Sequence, residues 1–274
     1  MRYAICNETF EGWEHPRICK LIASLGYQGL EIAPFTLAGR ITDVPTERRR
    51  ELRRQADEHG IAIIGLHWLL ARTTGLSLTA MDAAVRQATA DYLVDLARAS
   101  ADLGGDILVF GSPAQRRIPA GATLAQATDN AVDTFRRAAR GIGDAGVKVG
   151  VEPLSPPEAN FINTAAEGVE LIRRIDHPAF RLHLDVKAMS TEDSPTPEVI
   201  RRFAGSMYHF HANDPNRRGP GFGDTDFVPI FQALADVKYA GWVSVEVFDY
   251  SPDPETIARE SIRYMRECEA KVKG

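Results

Sequence analysis

The sequence predicts an α/β chain folded as a single (β/α)8 TIM barrel over residues 1–274, and three observations lead there. Short runs rich in β-formers alternate with segments of helical period from one end to the other. Eight such strand–helix units fill 274 residues, close to the roughly 250 typical of the barrel. No linker, low-complexity tract or long charge run breaks the alternation, so the chain is read as one domain. A doubly wound open sheet is the competing arrangement, but the richest glycine cluster, "GPGFGD" (219–224), follows a strand without GxGxxG spacing.

In chain order the strands are read at "RYAICNETF" (2–10), "GLEIAPF" (29–35), "IAIIGLHWL" (61–69) and "DILVFGSP" (106–113), then at "VKVGVEPLS" (147–155), "FRLHLDVKAM" (180–189), "MYHFHAND" (207–214) and "WVSVEVFDY" (242–250). Helical period fills the spaces, as in "HPRICKLIASLG" and "TERRRELRRQADEHG". In "NAVDTFRRAARGIGDAG" the residues Ala131, Val132, Phe135, Ala138 and Ala139 form one apolar stripe with charges opposite. Gly26, Gly60 and Gly146 stand where helices are expected to stop.

Composition limits the function. With 44% hydrophobic and 25% charged residues the chain has ample material for a core, and a net charge of -5 argues against a general nucleic-acid or anionic-membrane binder. No apolar run approaches the roughly 20 residues that span a bilayer. "MRYAICNETF" does not resemble a signal peptide, and Cys6, Cys19 and Cys268 are scattered without CxxC spacing. A cytoplasmic protein is expected. The charge run "TERRRELRR" (46–54) needs only a solvated helix face.

Chemistry in a parallel barrel sits at the C-terminal ends of the strands. There the fifth to eighth strands each place one donor after apolar alternation: Glu152 in "VGVEP", Asp185 in "LHLDV", His211 in "YHFHA" and Glu246 in "VSVEV". Any one of these is equally a hydrogen-bonded rim residue. Four in register on successive strands point to a divalent-cation site, because clustered buried carboxylates need a compensating charge. Three carboxylates, one imidazole and no thiolate favour Mn2+, Mg2+ or Co2+ over a structural zinc. His209, two residues before His211, is expected deeper on the same face, packing or orienting a ligand, with Asn213 and Asp214 opening the active-site loop.

"VEPL", "HLDVKAM", "HFHAND" followed by "NRRGPGFGDTDF", and "GWVSVEVF" resemble the xylose isomerase-like TIM-barrel superfamily of sugar isomerases and epimerases, nearest to the ketose 3-epimerases of the D-tagatose/D-psicose type. The resemblance covers nearly the whole chain. It implies that Glu152, Asp185, His211 and Glu246 hold one Mn2+-like ion and that Glu152 and Glu246 are the acid/base pair of an epimerase or isomerase working through an enediolate. It also implies that Glu158 and Arg217 contact substrate oxygens. One departure stands out. Those epimerases carry a histidine three residues after the aspartate ligand, where this chain has Ala188, with Lys187 before it. A differently substituted keto-sugar is therefore a plausible substrate. Lys187 either reaches the pocket or lies along the rim.

Glu31 and His67, ending the second and third strands, are candidates for binding sugar hydroxyls or for a structural role. Phe248 is expected to pack on the sugar, Trp13 and Trp68 to cover the mouth or to be core, and Cys6 to be core. A keto-cyclitol or dehydroshikimate-type dehydratase or isomerase would reuse the same site and stays open. An endonuclease IV-like phosphodiesterase is the remote alternative, since its extra histidines are missing from "LVFGSP", from position 188 and from "GDTDF". A sugar-binding protein without catalysis would not call for a metal and two flanking carboxylates. No nucleic-acid or membrane partner is expected beyond the small-molecule sugar; an exposed barrel face often makes dimers, and the sequence leaves a homodimer or a homotetramer open.

Overall fold

A computed structural model describes residues 1–273. The strands are β1 (Arg2–Cys6), β2 (Gly29–Ile32), β3 (Ala62–Leu66), β4 (Ile107–Phe110), β5 (Lys148–Val151), β6 (Phe180–Asp185), β7 (Met207–Ala212) and β8 (Trp242–Val245). They pair in sequence order, all parallel, and β8 returns to β1, so the sheet is a closed barrel. Around it run α1 (His15–Leu25), α2 (Thr46–Asp57), α3 (Ala83–Leu103), α4 (Leu124–Asp144), α5 (Ala165–Ile175), α6 (Val186–Met189), α7 (Thr196–Phe203), α8 (Val228–Asp236) and α9 (Pro254–Lys273). Among the described residues, no helix is long and apolar enough to cross a membrane.

The expected stripe on α4 is the face that packs: Ala131, Val132, Phe135, Ala138 and Ala139 are all buried. Phe135 lies edge-on to Phe110 of β4 at 5.2 Å between ring centres and 5.0 Å from Phe180 of β6. Thr123 and Gln126 start the helix as a reciprocal capping box. At the end of α1 Gly26 takes a left-handed φ of 92° and its N–H donates to Ile22 O, the turn that only glycine enters without strain. The closure of the barrel is tied by its ends: the N-terminal ammonium and the Tyr3 hydroxyl both bond the Glu269 carboxylate.

The strands are shorter than the sequence suggests, always at the C-terminal end. β1 stops at Cys6 and Asn7–Phe10 turns into a 3-10 helix. β6 stops at Asp185, whose own carboxylate caps the one-turn α6 by accepting from Ala188 N at 2.7 Å. The apolar run in "DVKAM" reads as strand, but the backbone leaves the sheet where the functional residues begin. The register sets their height: Asp185 lies opposite His211, and His211 opposite Ser244, two residues before Glu246.

Candidate active site

Glu152 follows β5 directly, Asp185 ends β6, His211 is next to last in β7 and Glu246 follows β8 directly. One donor atom from each lies within 4.8 Å of the other three, and all four side chains are buried. The charge balance of this cluster tests whether it fits a cation. Burial, with Glu246 and Asp185 close by, pushes the Glu152 carboxyl well above the usual carboxylate range. Burial and the Glu246 charge push Asp185 up to about 6. Acceptor oxygens crowded together at this cost are what a divalent ion relieves, so the donor set fits one.

Supports lie behind each donor. Asp185 Oδ2 accepts from Asn213 Nδ2 at 2.5 Å, and Asn213 Oδ1 accepts from Lys187 N at 2.9 Å, so the first residue of the expected loop holds the Asp185 carboxylate in place. His211 Nε2 lies 3.1 Å from Glu31 Oε2, which also meets His209 Nε2 at 2.9 Å. Burial opposes a charge on His211, but Glu31 and Glu246 outweigh it and raise its pKa well above that of free imidazole. His209 and His211 share one Glu31 oxygen. Glu31 is itself fully buried beneath the cluster and has no exposed edge toward the mouth. His67 spans two carboxylates, Nδ1 at 3.1 Å from Glu246 Oε1 and Nε2 at 2.8 Å from Glu8 Oε2. Neither nitrogen is left for a hydroxyl. For Glu246, burial works against ionisation, but His211 and His67 outweigh it and bring its pKa down to about 2.

Three supporting residues gave no signal in the sequence or only a faint one. Arg116 is fully buried, and its guanidinium donates to the main-chain carbonyls of Glu152 (2.6 Å) and Phe110 (2.5 Å), joining the ends of β4 and β5. Nothing in "QRRIP" separates Arg116 from its exposed neighbours. Gly111 makes room for Glu152, since a Cβ there would collide with the Glu152 carboxylate. His183, two residues before Asp185 as His209 is before His211, lies 4.2 Å from the His211 ring, edge to face.

At the mouth Lys187 does reach inward. It is buried, its Nζ lies 2.6 Å from Glu158 Oε2 and 4.7 Å from the centre of the Phe248 ring. Ser155 Oγ donates to the same Glu158 oxygen at 2.8 Å. Glu158, Lys187 and Arg217 line one cleft of about 440 Å³ with Ser155, Ser190 and Thr191. Arg217 has φ 74°, and its carbonyl accepts from Phe248 N and Asp249 N, which ties the loop after β7 to the loop after β8. Phe248 stacks on Trp68 at 5.6 Å and 26°, and Trp68, at φ 49°, also meets Phe35 at 5.6 Å. Trp13 lies against Phe10 and beneath Arg17, in another cavity of about 400 Å³; neither that cavity nor the Glu158–Arg217 cleft is lined by any of the four donors. Cys6 is fully buried, as expected of core.

Comparison with known proteins agrees with this architecture. D-psicose 3-epimerase of Agrobacterium fabrum is 28% identical over 249 residues, covering 86% of this chain and 82% of that protein. The 3-dehydro-D-guloside 4-epimerase of Escherichia coli is 28% identical over 123 residues, 45% of this chain and 47% of that protein. Among solved structures, D-psicose 3-epimerase of Clostridium cellulolyticum H10 with D-tagatose superposes with a TM-score of 0.84 at 23% identity, covering 98% and 99% of the two chains. The 3-keto-D-glucoside 4-epimerase of E. coli gives 0.85 at 20% identity over 98% and 100%. The model of the xylose isomerase-like TIM barrel family matches residues 19–268, and the chain belongs to that family.

Proposed function

We propose that this chain is a divalent-metal-dependent sugar epimerase or isomerase, with Glu152 and Glu246 as its acid/base pair. The observation that carries the reading is the placement of two buried carboxylates on β5 and β8, with Asp185 and His211 between them on β6 and β7. The relatives named as epimerases over most of the chain's length support it. Bound by Glu152, Asp185, His211 and Glu246, a divalent ion, Mn2+ first and Mg2+ or Co2+ in its place, would polarise a substrate carbonyl and stabilise the negative charge that develops beside it.

Around that centre the chain's own residues do the proton work. One glutamate removes the proton from the carbon next to the carbonyl, leaving an enediolate, and the other returns a proton to the opposite face. Glu158 and Arg217 in the cleft above hold substrate oxygens, and Phe248 offers an apolar surface beside them. Ala188 leaves no imidazole in the pocket wall, and the Lys187 ammonium comes forward instead. This favours a keto-sugar carrying an additional group, such as a keto-glycoside or a sugar acid, over a free ketohexose. Three free, buried cysteines suit a reducing cytoplasm.

A proton-exchange screen tests the assignment. Mn2+-loaded protein in D2O should introduce deuterium next to the carbonyl of at least one member of a panel of ketoses and keto-glycosides. Fully metal-loaded protein that exchanges with none of them rejects it.

A further inference from the structure

We infer that Glu8 and His67 are positioning residues for Glu246 and leave Glu152 untouched, an inference that rests on the acid/base reading above. The three residues come from separate parts of the barrel: Glu8 from the turn after β1, His67 from the end of β3 and Glu246 from the end of β8. Their side chains form one unbroken chain in the interior, Glu8 Oε2 to His67 Nε2 at 2.8 Å and His67 Nδ1 to Glu246 Oε1 at 3.1 Å. All three are sealed from bulk solvent.

An imidazole held at one nitrogen still swings about its Cβ–Cγ bond. A carboxylate on the second nitrogen stops that rotation and fixes the direction in which the first one donates. Glu246 Oε1 is thus held from behind, while its Oε2 lies 3.2 Å from His211 Nδ1, on the side of the donor cluster. Glu152 has no counterpart. The nearest imidazole nitrogen, His183 Nε2, is 3.9 Å from its Oε1, too far for a hydrogen bond, and Arg116 bonds its main-chain carbonyl instead of its carboxylate. Glu8 also leaves Oε1 without a partner in the interior. A buried carboxylate with an unpaired oxygen is costly to keep, and among the described residues its one side-chain hydrogen bond is the one to His67.

Four variants decide the matter: His67→Leu, His67→Asn, Glu8→Gln and, as the reference, Glu246→Gln. The first readout needs no substrate. By direct Mn2+ titration His67→Leu should bind about 10–100-fold more weakly, the range typical when support behind a ligand is removed. Glu8→Gln should lose less. His67→Asn, whose amide nitrogen stands near the place of Nδ1, should recover most of the affinity. The second readout is deuterium wash-in at saturating Mn2+ from D-fructose and from D-psicose, run separately. The direction lost in Glu246→Gln should fall about tenfold or more in His67→Leu, while the opposite direction stays within about twofold.

Mn2+ affinity of His67→Leu within about twofold of the unaltered protein overturns the proposal, as does an equal fall in both directions. If Glu246→Gln is itself direction-selective in that case, only the positioning role has failed. If Glu246→Gln exchanges normally in both directions, the acid/base reading has failed and the positioning role falls with it.

Discussion

Glu152 and Glu246 are the same residue type, each one position past its strand and each buried in the same cluster, yet the barrel holds them in different ways. Glu246 is bonded at both oxygens, by His67 and by His211. Glu152 faces a gap left by Gly111 and is steadied through its backbone by Arg116. One carboxylate is fixed by its side-chain partners, the other by the space allowed to it. Equivalent positions in a symmetric scaffold thus need not be equivalent bases, and variants that act on one side only are the means to show it.

The largest effect should come from residues that serve both sides. Asp185→Asn or His211→Ala should strip most of the bound metal, from about one ion per chain, and take both directions of exchange with it. Metal-free protein that keeps full activity would dissolve the comparison by removing the centre it is built around. Next come the glutamates themselves. Glu152→Gln and Glu246→Gln, each checked for metal content, should lose at least 10²–10⁴-fold in net epimerisation while retaining partial exchange with opposite epimers. Near-normal turnover by a metal-loaded Glu246→Gln would mean that a single base suffices, and isomerisation or elimination would replace epimerisation. Gly111→Ala sharpens the other side. Its Cβ displaces the Glu152 carboxylate, and a shift of about 1 Å costs up to about 10²-fold, so Mn2+ affinity should fall and, at saturating Mn2+, the Glu152 direction should suffer more than the other. Smallest is Ala188→His, which should raise turnover of free D-fructose or D-tagatose by about tenfold and leave Mn2+ affinity unchanged. An unaltered enzyme that already turns over a free ketohexose at a kcat/KM of about 10⁴ M⁻¹s⁻¹ or more would strip position 188 of significance.

Much of this was legible before any coordinates, for a physical reason. Alternation of strand and helix is a local pattern, and the rule that chemistry lies at strand ends turns that pattern into positions, so Glu152, Asp185, His211 and Glu246 stood out together. The strand ends themselves were overrun at "NETF" and "DVKAM", because β-forming residues continue after the backbone has turned away. The supports were harder. Arg116 is one arginine of two in a loop, and only the packed barrel decides which is buried. Glu8 lies in a polar turn, and its partner is 59 residues away. The position of His67 at a strand end marks it, but that position suits a sugar hydroxyl equally, and only the third dimension supplies Glu8 and Glu246 on either side. Gly111 stands in "LVFGSP", which the sequence marks only for its missing histidine, and only the packed barrel shows the space it leaves for Glu152.

The left-handed backbone at Trp68 has a mechanical meaning. That conformation costs a bulky L-residue about 1–2 kcal/mol, and contacts between aromatic rings recover about 0.5–1.5 kcal/mol apiece beyond burial. The stack on Phe248 and the contact with Phe35 are of the same size as the strain they hold in place. The residue before Trp68 is His67, which bonds Glu246. Phe248, two positions past Glu246, thus packs against the neighbour of the side chain that bonds Glu246 Oε1.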